Sequence, residues 1–526
     1  MIKKFEDHTE SVAAFLSEHI NLLFPLLFLF CLITRIYLIP ELLLRQDAFV
    51  YLIKTREILH GNFIPIQAGA MGWPFVASLF LAPFKNSVLA LQEHMIRFAS
   101  AVIGALIFFP LYSICKKLFS KNHVFFTLLL FSVNYIMLIT SVSGMSESLF
   151  TLFFLYVIYF LMKIKEGRKY SYLAAALAAL CAITRVNGLF VIAIVLASVF
   201  VIKEKTWKEF FYILCIYLLI LTPYLGLRTY AFGSPFNFGG ENGFLLGSGQ
   251  EAWSPNTIAP SLLEFLKTNS LPVIANKLFF SGLVKITYSY IFVIIGPLFI
   301  FPFLIGLIEL STIKEKSLKI PLLMSFFFWI ALHIPLYGTF TFPRYLYPTI
   351  PLILICVMLG VTTLLKENKY RHLYLTLFLL VSILFAIKET STALENVKQD
   401  PLNKEASWAK WIAEHIQGQV AVLEGQSHII RYLPDAKVQG KVYTNGILTT
   451  SLYPFTKDLK TTLEEMKRLG IDYAVIDEKN INLRPALKPL LDEKNVPRYF
   501  RKVFDNTNSQ DEWKVKVYKI EWQIVL

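Results

Sequence analysis

The sequence predicts a multi-span α-helical membrane protein with about 11 transmembrane helices and a C-terminal extracytoplasmic α/β domain. Three observations predict this fold class: an apolar composition, repeated apolar runs long enough to span a bilayer, and basic residues concentrated in alternate connections. Of the 526 residues, 55% are hydrophobic and only 17% are charged, whereas soluble domains carry about 25% charged residues. This composition excludes a soluble globular enzyme and a disordered chain.

The spans are predicted from runs of about 20 apolar residues, the length that crosses about 30 Å of hydrocarbon. The first run, residues 21–40, is too long for the core of a signal peptide and is interpreted as a retained anchor. The shorter run 73–84 is bounded by Pro74 and Pro83 and is predicted to lie on or in the interface instead of crossing the membrane. The other ten predicted spans are 95–114, 123–141, 147–163, 172–184, 187–202, 209–228, 279–310, 320–337, 345–365 and 372–390.

The distribution of Lys and Arg supports this arrangement. Sixteen of these residues lie in five short connections on one predicted side of the membrane: 116–121, 163–169, 203–208, 314–319 and 366–371. The short connections on the opposite side contain only Arg185 and Arg344. This positive-inside bias predicts a plasma (inner) membrane protein with a cytoplasmic N-terminus. It also explains the net charge of +14 without a nucleic-acid partner.

Two regions with different composition are predicted. Residues 1–390 form the transmembrane domain, with long outer segments at 41–94 and 229–278. Residues 391–526 form the α/β domain, because strand-like and helical runs alternate there between Gly and Asn-Gly turns. The strand-like runs are 420–423, 473–476 and 513–520, and the helical runs are 406–416 and 459–469. The five cysteines all lie in apolar runs without metal-ligand spacing, so neither a disulfide framework nor a zinc site is expected.

Two acidic residues are candidates for chemistry at the outer side. Asp47 follows the first span and opens an amphipathic helix. A carboxylate at the membrane surface could deprotonate a hydroxyl of a substrate held at that depth, although the position also suits a helix cap or an exposed pair with Arg45. Glu147 follows Ser146 at the start of the fourth span, where the helix dipole favours an acid, so a structural role can account for it.

Two arginines are candidates for binding an anion. Arg185 interrupts an apolar stretch of 31 residues, 172–202. A guanidinium there is costly unless it faces water or an anion, and the alternative is a side chain that snorkels to the interface. Arg344 opens the tenth span among Tyr residues, as interfacial anchors do. Yet Arg185 and Arg344 lie on the same predicted side of the membrane as Asp47. Two arginines that stabilise charge and an acid that serves as base, all at one depth, are what a lipid-phosphate leaving group needs.

These segments together resemble the GT-C glycosyltransferases, which use polyprenyl-phosphate sugars, and within that class the protein O-mannosyltransferase and aminoarabinose-transferase group. The resemblance covers most of residues 20–390 and depends on the order of four features. They are Asp47 in the first outer loop, the acid and apolar start at 146–150, the segment Thr184-Arg185-Val186-Asn187-Gly188, and Arg344-Tyr345 followed by Pro348 and Pro351.

The resemblance implies transfer of a sugar from a polyprenyl-phosphate donor to an acceptor glycan, lipid or protein at the outer face of the membrane. The membrane lipid is itself a predicted partner. Asp47 matches the loop Asp that acts as catalytic base or as an acid that orients the substrate. Arg185, Arg344 and Tyr345 would bind the donor phosphate, and Glu147 and Asn187 complete the predicted substrate site.

The expected reaction is a single displacement with inversion that needs no cofactor. Members of the family often have a second acid, adjacent or elsewhere in the first outer loop, but here Ala48 follows Asp47 and no carboxylate lies between Glu57 and Glu93. A metal-independent reaction is therefore expected. The alternatives are a lipid-linked sugar flippase or transporter, which could also use intramembrane arginines, and a polysaccharide polymerase or ligase. The sequence shows no repeated halves of the kind found in transporters, and the large C-terminal domain favours an enzyme.

Overall fold

The chain forms two compact units. The first contains Met1–Lys85, His94–Gly240 and Asn269–Leu394, and the second contains Asn86–Glu93, Glu241–Thr268 and Glu395–Leu526. The computed structural model describes residues 2–39, 46–65, 71–87, 89–203, 207–235, 266–339, 343–366, 368, 370–399, 407–416, 420–422, 459–468, 471–478, 489–491, 496–508 and 514–525.

The first unit is built from α-helices. Up to the second long outer segment these are α1 (Ile2–Tyr37), α2 (Gln46–Leu59), α3 (Gly72–Leu81), α4 (Leu89–Leu106), α5 (Phe108–Leu118), α6 (Lys121–Val133), α7 (Tyr135–Ser141), α8 (Glu147–Met162), α9 (Arg168–Thr184), α10 (Val191–Lys203) and α11 (Trp207–Phe232). After it come α12 (Leu271–Ile295), α13 (Pro297–Thr312), α14 (Lys316–Thr339), α15 (Ile350–Leu365) and α16 (Arg371–Gln399). Short 3₁₀ turns occupy Ala82–Phe84, Ile164–Glu166, Val186–Phe190 and Pro343–Thr349.

The chain is a multi-span α-helical membrane protein. Within the described residues, seven helices are long and apolar enough to cross a membrane: Leu91–Leu118, Val186–Lys203, Trp207–Phe232, Leu271–Ile295, Lys316–Pro335, Arg344–Leu365 and Leu373–Asn396. The pair α6 and α7, bent by 56°, makes eight if it counts as one span. Shorter apolar helices are Leu22–Tyr37, Gly72–Phe84, Glu147–Met162 and Pro297–Thr312. The total of 11 spans stays a prediction.

The prediction of one continuous span over 279–310 was wrong. The chain turns at Gly296, where φ is 74°, and Pro297 begins α13. Glycine adopts this left-handed conformation without a steric penalty, and proline is favoured in the first turn of a helix. Both flanking segments are apolar, so hydropathy alone does not reveal the break.

Helices α13 and α15 pack through two glycines. A Cβ at Gly306 would overlap the carbonyl oxygen of Cys356, and a Cβ at Gly360 would overlap that of Pro302. In a bilayer, close packing of small residues is a main source of helix association, because lipid tails are as apolar as the side chains they replace. The two glycines therefore allow a backbone approach that no other residue permits at these positions.

Replacement of Gly360 by Val is expected to destabilise the protein by about 1–3 kcal/mol, because the obstructing atoms belong to the backbone and cannot move aside as a side chain can. Thermal unfolding of the purified protein in detergent measures the effect as a lower Tm. Gly226→Val is the matched control, since Gly226 lies in α11 with nothing within 4 Å of its Cβ position. An equal drop in Tm in both variants would contradict the packing explanation.

The second unit contains a four-stranded mixed sheet. Its strands are β1 (Val420–Val422), β2 (Tyr473–Asp477), β3 (Phe500–Asp505) and β4 (Val515–Ile520), in the order β1-β2-β4-β3. β1 pairs with β2 in parallel, and the other two pairs are antiparallel. The predicted strands at 420–423, 473–476 and 513–520 are confirmed by β1, β2 and β4, whereas β3 was not predicted.

Two helices cover opposite faces of this sheet. Successive residues of a strand point to opposite sides, so neighbouring residues of β2 belong to two different hydrophobic clusters. Helix α17 (Ser407–His415) packs with Trp408 and Ile412 against a cluster that includes Val475 and Val517. Helix α18 (Leu459–Arg468) packs against the cluster on the other side, which includes Ile476. Both helices were predicted. The extracytoplasmic position of the unit stays a prediction.

At the end of β3 the carboxyl of Asp505 is held by local contacts. Burial opposes its ionisation, but hydrogen bonds from the side chain and backbone of Thr507 and from Lys502 prevail and lower the pKa of Asp505 to about 2. Its oxygen Oδ2 lies 3.0 Å from Nζ of Lys502. These contacts fix the turn that follows the edge strand.

Candidate functional site

The site is centred on the break between α9 and α10. Helix α9 ends at Thr184, and Arg185 is extended, with φ −150° and ψ 143°. The Arg185 N–H still donates to Cys181 O at 2.9 Å, and Gly188 N–H donates to Arg185 O at 2.9 Å. A Cβ at Gly188 would overlap the Cys181 carbonyl, so a glycine is required where the chain folds back. The break therefore places Arg185 between the two helices, outside the regular part of either one.

Arg185 forms a buried ion pair with Glu147. Its Nη1 lies 2.7 Å from Oε1 of Glu147 and donates a hydrogen bond of 3.1 Å to the Ser146 hydroxyl. The Glu147 side chain is 3% exposed and that of Arg185 is 12% exposed. Glu147 begins α8, where the helix dipole also favours its negative charge. In such a buried pair each ion depends on the other to offset its loss of solvation.

The ring of Tyr345 contacts two guanidinium groups. The Cζ atom of Arg185 lies 5.4 Å from the ring centroid, and that of Arg344 lies 5.6 Å from it. Arg344 and Tyr345 belong to the 3₁₀ turn Pro343–Thr349 that leads into α15. A cation within about 6 Å of an aromatic centroid is attracted to the ring. Tyr345 thus keeps both arginines at one place despite their like charge.

A hydrogen-bond network supports Tyr345 from α14. The indole Nε1 of Trp329 donates to Tyr345 O at 2.9 Å, and the His333 and Tyr345 rings stack with centroids 6.2 Å apart. His333 is fully buried, and its Nε2 lies 3.1 Å from Nδ2 of Asn187. The network therefore connects the 3₁₀ turn after Arg185 with the 3₁₀ turn that contains Arg344.

Helix α3 begins beside the same break. The indole of Trp73 donates to Gly144 O at 2.7 Å, close to the start of α8. At Gly72, a Cβ would lie 2.7 Å from Oγ1 of Thr184. The first outer segment therefore packs directly onto the residues that precede Glu147 and Arg185.

Asp47 lies in the first turn of α2, and its side chain is outside the described residues. Tyr51, one turn later on the same face of α2, is within electrostatic range of Arg185. The backbone of Asp47 is therefore one helical turn from a residue of the site.

The structure brings together five of the six residues predicted for the site: Glu147, Arg185, Asn187, Arg344 and Tyr345. Sequence analysis missed His333, Ser146 and Trp329. The signal for His333 was available, because an ionisable residue inside a membrane span is a functional candidate. Its partner Asn187 lies 146 residues away in the chain, and one sequence cannot reveal that pairing.

No metal site was predicted. Among the residues that the structure describes, no group of three or more His, Cys, Asp or Glu is placed to hold a metal ion. The Asp47 carboxylate lies outside that set, and the expectation of a metal-independent reaction stays a prediction.

One family model and several solved structures are similar to this chain. A family model for dolichyl-phosphate-mannose-protein mannosyltransferase matches residues 73–226, a segment that contains Glu147, Arg185 and Asn187. Comparison with curated protein sequences gives no match.

Solved structures with the same fold cover nearly the whole chain. ArnT from Cupriavidus metallidurans bound to undecaprenyl phosphate has 14% identity and a TM-score of 0.59, over 94% of this chain and 97% of that one. The archaeal oligosaccharyltransferase AglB from Archaeoglobus fulgidus, in complex with an inhibitory peptide and a dolichol-phosphate, has 13% identity and a TM-score of 0.55, over 94% of this chain and 74% of that one. The resemblance to the GT-C glycosyltransferases is confirmed: the protein is a membrane protein with the GT-C fold.

Proposed function

We propose that the protein is a glycosyltransferase that moves a sugar, a mannose-like or other hexose or a pentose, from a polyprenyl-phosphate donor to an acceptor at the outer face of the membrane. The observation that carries this proposal is the Arg185 site: a guanidinium paired with buried Glu147, set at a helix break and joined to Arg344 through Tyr345. The undecaprenyl phosphate bound to ArnT and the dolichol-phosphate bound to AglB support a lipid-phosphate donor.

The geometry of Arg185 suits a phosphate. A guanidinium has five N–H donors, and the hydrogen bond and ion pair described for Arg185 both use Nη1. Over the ranges that the structure describes, no acceptor is bound to its Nε and Nη2, so these donors can bind phosphate oxygens in the planar arrangement that favours bidentate binding. Glu147 fixes the orientation of the guanidinium and balances its charge before the donor binds.

The reaction would be a single displacement at the anomeric carbon. The acceptor hydroxyl oxygen forms the new glycosidic bond, the bond from the anomeric carbon to the phosphate oxygen breaks, and the hydroxyl proton passes to Asp47. One displacement inverts the anomeric centre, in contrast to the two displacements of a retaining glycosidase. Arg185 and Arg344 would stabilise the charge that develops on the leaving phosphate. No metal ion is assigned to any step.

The distribution of basic residues supports a location of this chemistry at the outer face of the plasma (inner) membrane. With a cytoplasmic N-terminus, the first outer segment, the Arg185 break and the Arg344 turn all lie on the extracytoplasmic side, and so does the second unit. We assign to that unit the selection or covering of the acceptor, which is a glycan, a lipid or a protein.

Incubation of the purified protein with a polyprenyl-phosphate sugar labelled in the sugar tests the function. A transferase releases free polyprenyl phosphate and transfers the label to an acceptor from the cell envelope, whereas membranes without the protein do neither. Relocation of intact labelled lipid between leaflets, with no release of lipid phosphate, would overturn the proposal in favour of a flippase. Comparison of envelope glycans from a deletion strain and its parent by mass spectrometry then identifies the product.

A further inference from the structure

Asn187 lies on the 3₁₀ turn after Arg185, and a histidine holds its amide. Its Nδ2 is 3.1 Å from Nε2 of His333, and the other ring nitrogen of that histidine, Nδ1, is 2.7 Å from Trp329 O. The imidazole is fully buried, so it makes both contacts away from water. The ring therefore bridges two protein groups of fixed position.

These contacts determine the proton on the ring and the orientation of the amide. A carbonyl oxygen only accepts, so Nδ1 carries the proton and donates to Trp329 O. The Nε2 atom of the neutral ring is then an acceptor, and Asn187 Nδ2 donates to it. The opposite amide orientation would need a second proton on His333, which creates a buried cation within electrostatic range of Arg185. The network therefore directs Oδ1 of Asn187 away from His333.

The amide oxygen of Asn187 is left for a ligand. The residue is half-buried, and within the described part of the chain no protein group donates to Oδ1. An amide oxygen is an acceptor, and a phosphodiester has only acceptor oxygens at neutral pH, so the two do not hydrogen-bond. A sugar hydroxyl, which has a proton to donate, is the complementary group.

We infer that Asn187 Oδ1 accepts a hydrogen bond from one hydroxyl of the transferred sugar, beside the phosphate held by Arg185, and that His333 is the positioning residue that fixes the amide. This inference rests on the proposed function and adds to it the contact that selects the sugar. It places Asn187 on the sugar side of the donor, whereas the arginines bind the phosphate side.

A series of polyprenyl-phosphate donors, each lacking one sugar hydroxyl, tests the inference in the full-length protein. For the wild type, kcat/KM is expected to be at least about tenfold lower with one of these deoxy donors than with the parent donor. The reason is that a site built to bind a hydroxyl rejects the analogue that lacks it. For Asn187→Ala, kcat/KM with the parent donor should be about tenfold lower than for the wild type. This variant should also have the same kcat/KM with the parent donor and with that deoxy donor. Both changes follow from the loss of one hydrogen bond.

Variants of His333 separate positioning from a general structural role. His333→Ala should lose the same discrimination, whereas His333→Gln should keep it, because a Gln oxygen near the Nε2 position can accept the Asn187 N–H. Tyr290→Phe is the control: it removes a buried hydroxyl that lies 3.0 Å from Oγ1 of Thr349 and should leave the discrimination unchanged.

The outcomes distinguish the inference from the function on which it rests. Transfer by Asn187→Ala with the discrimination of the wild type would overturn the inference and leave the proposed function intact. A wild type that transfers no sugar from any polyprenyl-phosphate donor would overturn both.

Discussion

Asp47→Asn is expected to lower the rate of sugar transfer by about 10²–10⁴-fold, the range that proton transfer by a positioned side chain contributes. Asn has nearly the size and shape of Asp but cannot take up the proton of the acceptor hydroxyl. The fold should be little affected, because loss of a negative charge from the first turn of α2 costs only about 0.3–1 kcal/mol. Release of labelled polyprenyl phosphate under single-turnover conditions measures the rate, and thermal unfolding in detergent reports on the fold.

A second carboxylate on the same helix provides the control. Oε2 of Glu57 lies 2.6 Å from Nζ of Lys54, and the Glu57 side chain is 28% exposed. Glu57→Gln removes the anion from an ion pair whose Lys54 side chain is only 5% exposed, so it should lower the Tm, whereas transfer should stay within a few-fold of wild type. If Glu57→Gln abolished transfer and Asp47→Asn did not, the base would be Glu57.

Residues of the site were predictable from the sequence where a charged residue stands in or beside an apolar segment. Arg185 stood out because it interrupts an apolar stretch, and the structure places a helix break there. Glu147 was predicted at a helix start, and α8 does begin at that residue. The ion pair between them was not predictable, since it depends on the packing of α8 against α9, which a single sequence does not encode in any local pattern.

The fold shows the same division between local and long-range information. Hydropathy found the apolar segments but missed the turn at Gly296, because both flanking segments are apolar; the local signal was the Gly296-Pro297 pair, which is typical of a turn. Strand β3, Phe500–Asp505, was missed because its charged residues and its irregular pairing with β4 between Lys502 and Phe504 obscure the alternation expected of a strand. Its partner β4 is buried along nearly its whole length and was predicted.

Arg185→Ala is expected to abolish transfer and also to destabilise the protein by about 3–5 kcal/mol, because it leaves the carboxylate of Glu147 buried without its cation. The single variant therefore cannot separate a role in phosphate binding from a role in folding. A charge-balanced variant can. In Arg185→Ala/Glu147→Gln neither member of the pair leaves a buried charge, so most of the lost stability should return, whereas transfer should not, since only Arg344 is left to stabilise the leaving phosphate.

The four proteins of this double-mutant cycle give two independent readings, the Tm in detergent and the rate of lipid-phosphate release. Recovery of transfer together with stability would show that Arg185 serves only to neutralise Glu147, and the phosphate would then have to be held elsewhere. Failure of the double variant to regain stability would mean that the 2.7 Å ion pair is not the source of the instability. Glu147→Gln alone should also lose stability, because it leaves the Arg185 guanidinium without its anion, but it should keep part of the activity, because Arg185 retains the ring of Tyr345 and can still bind the phosphate.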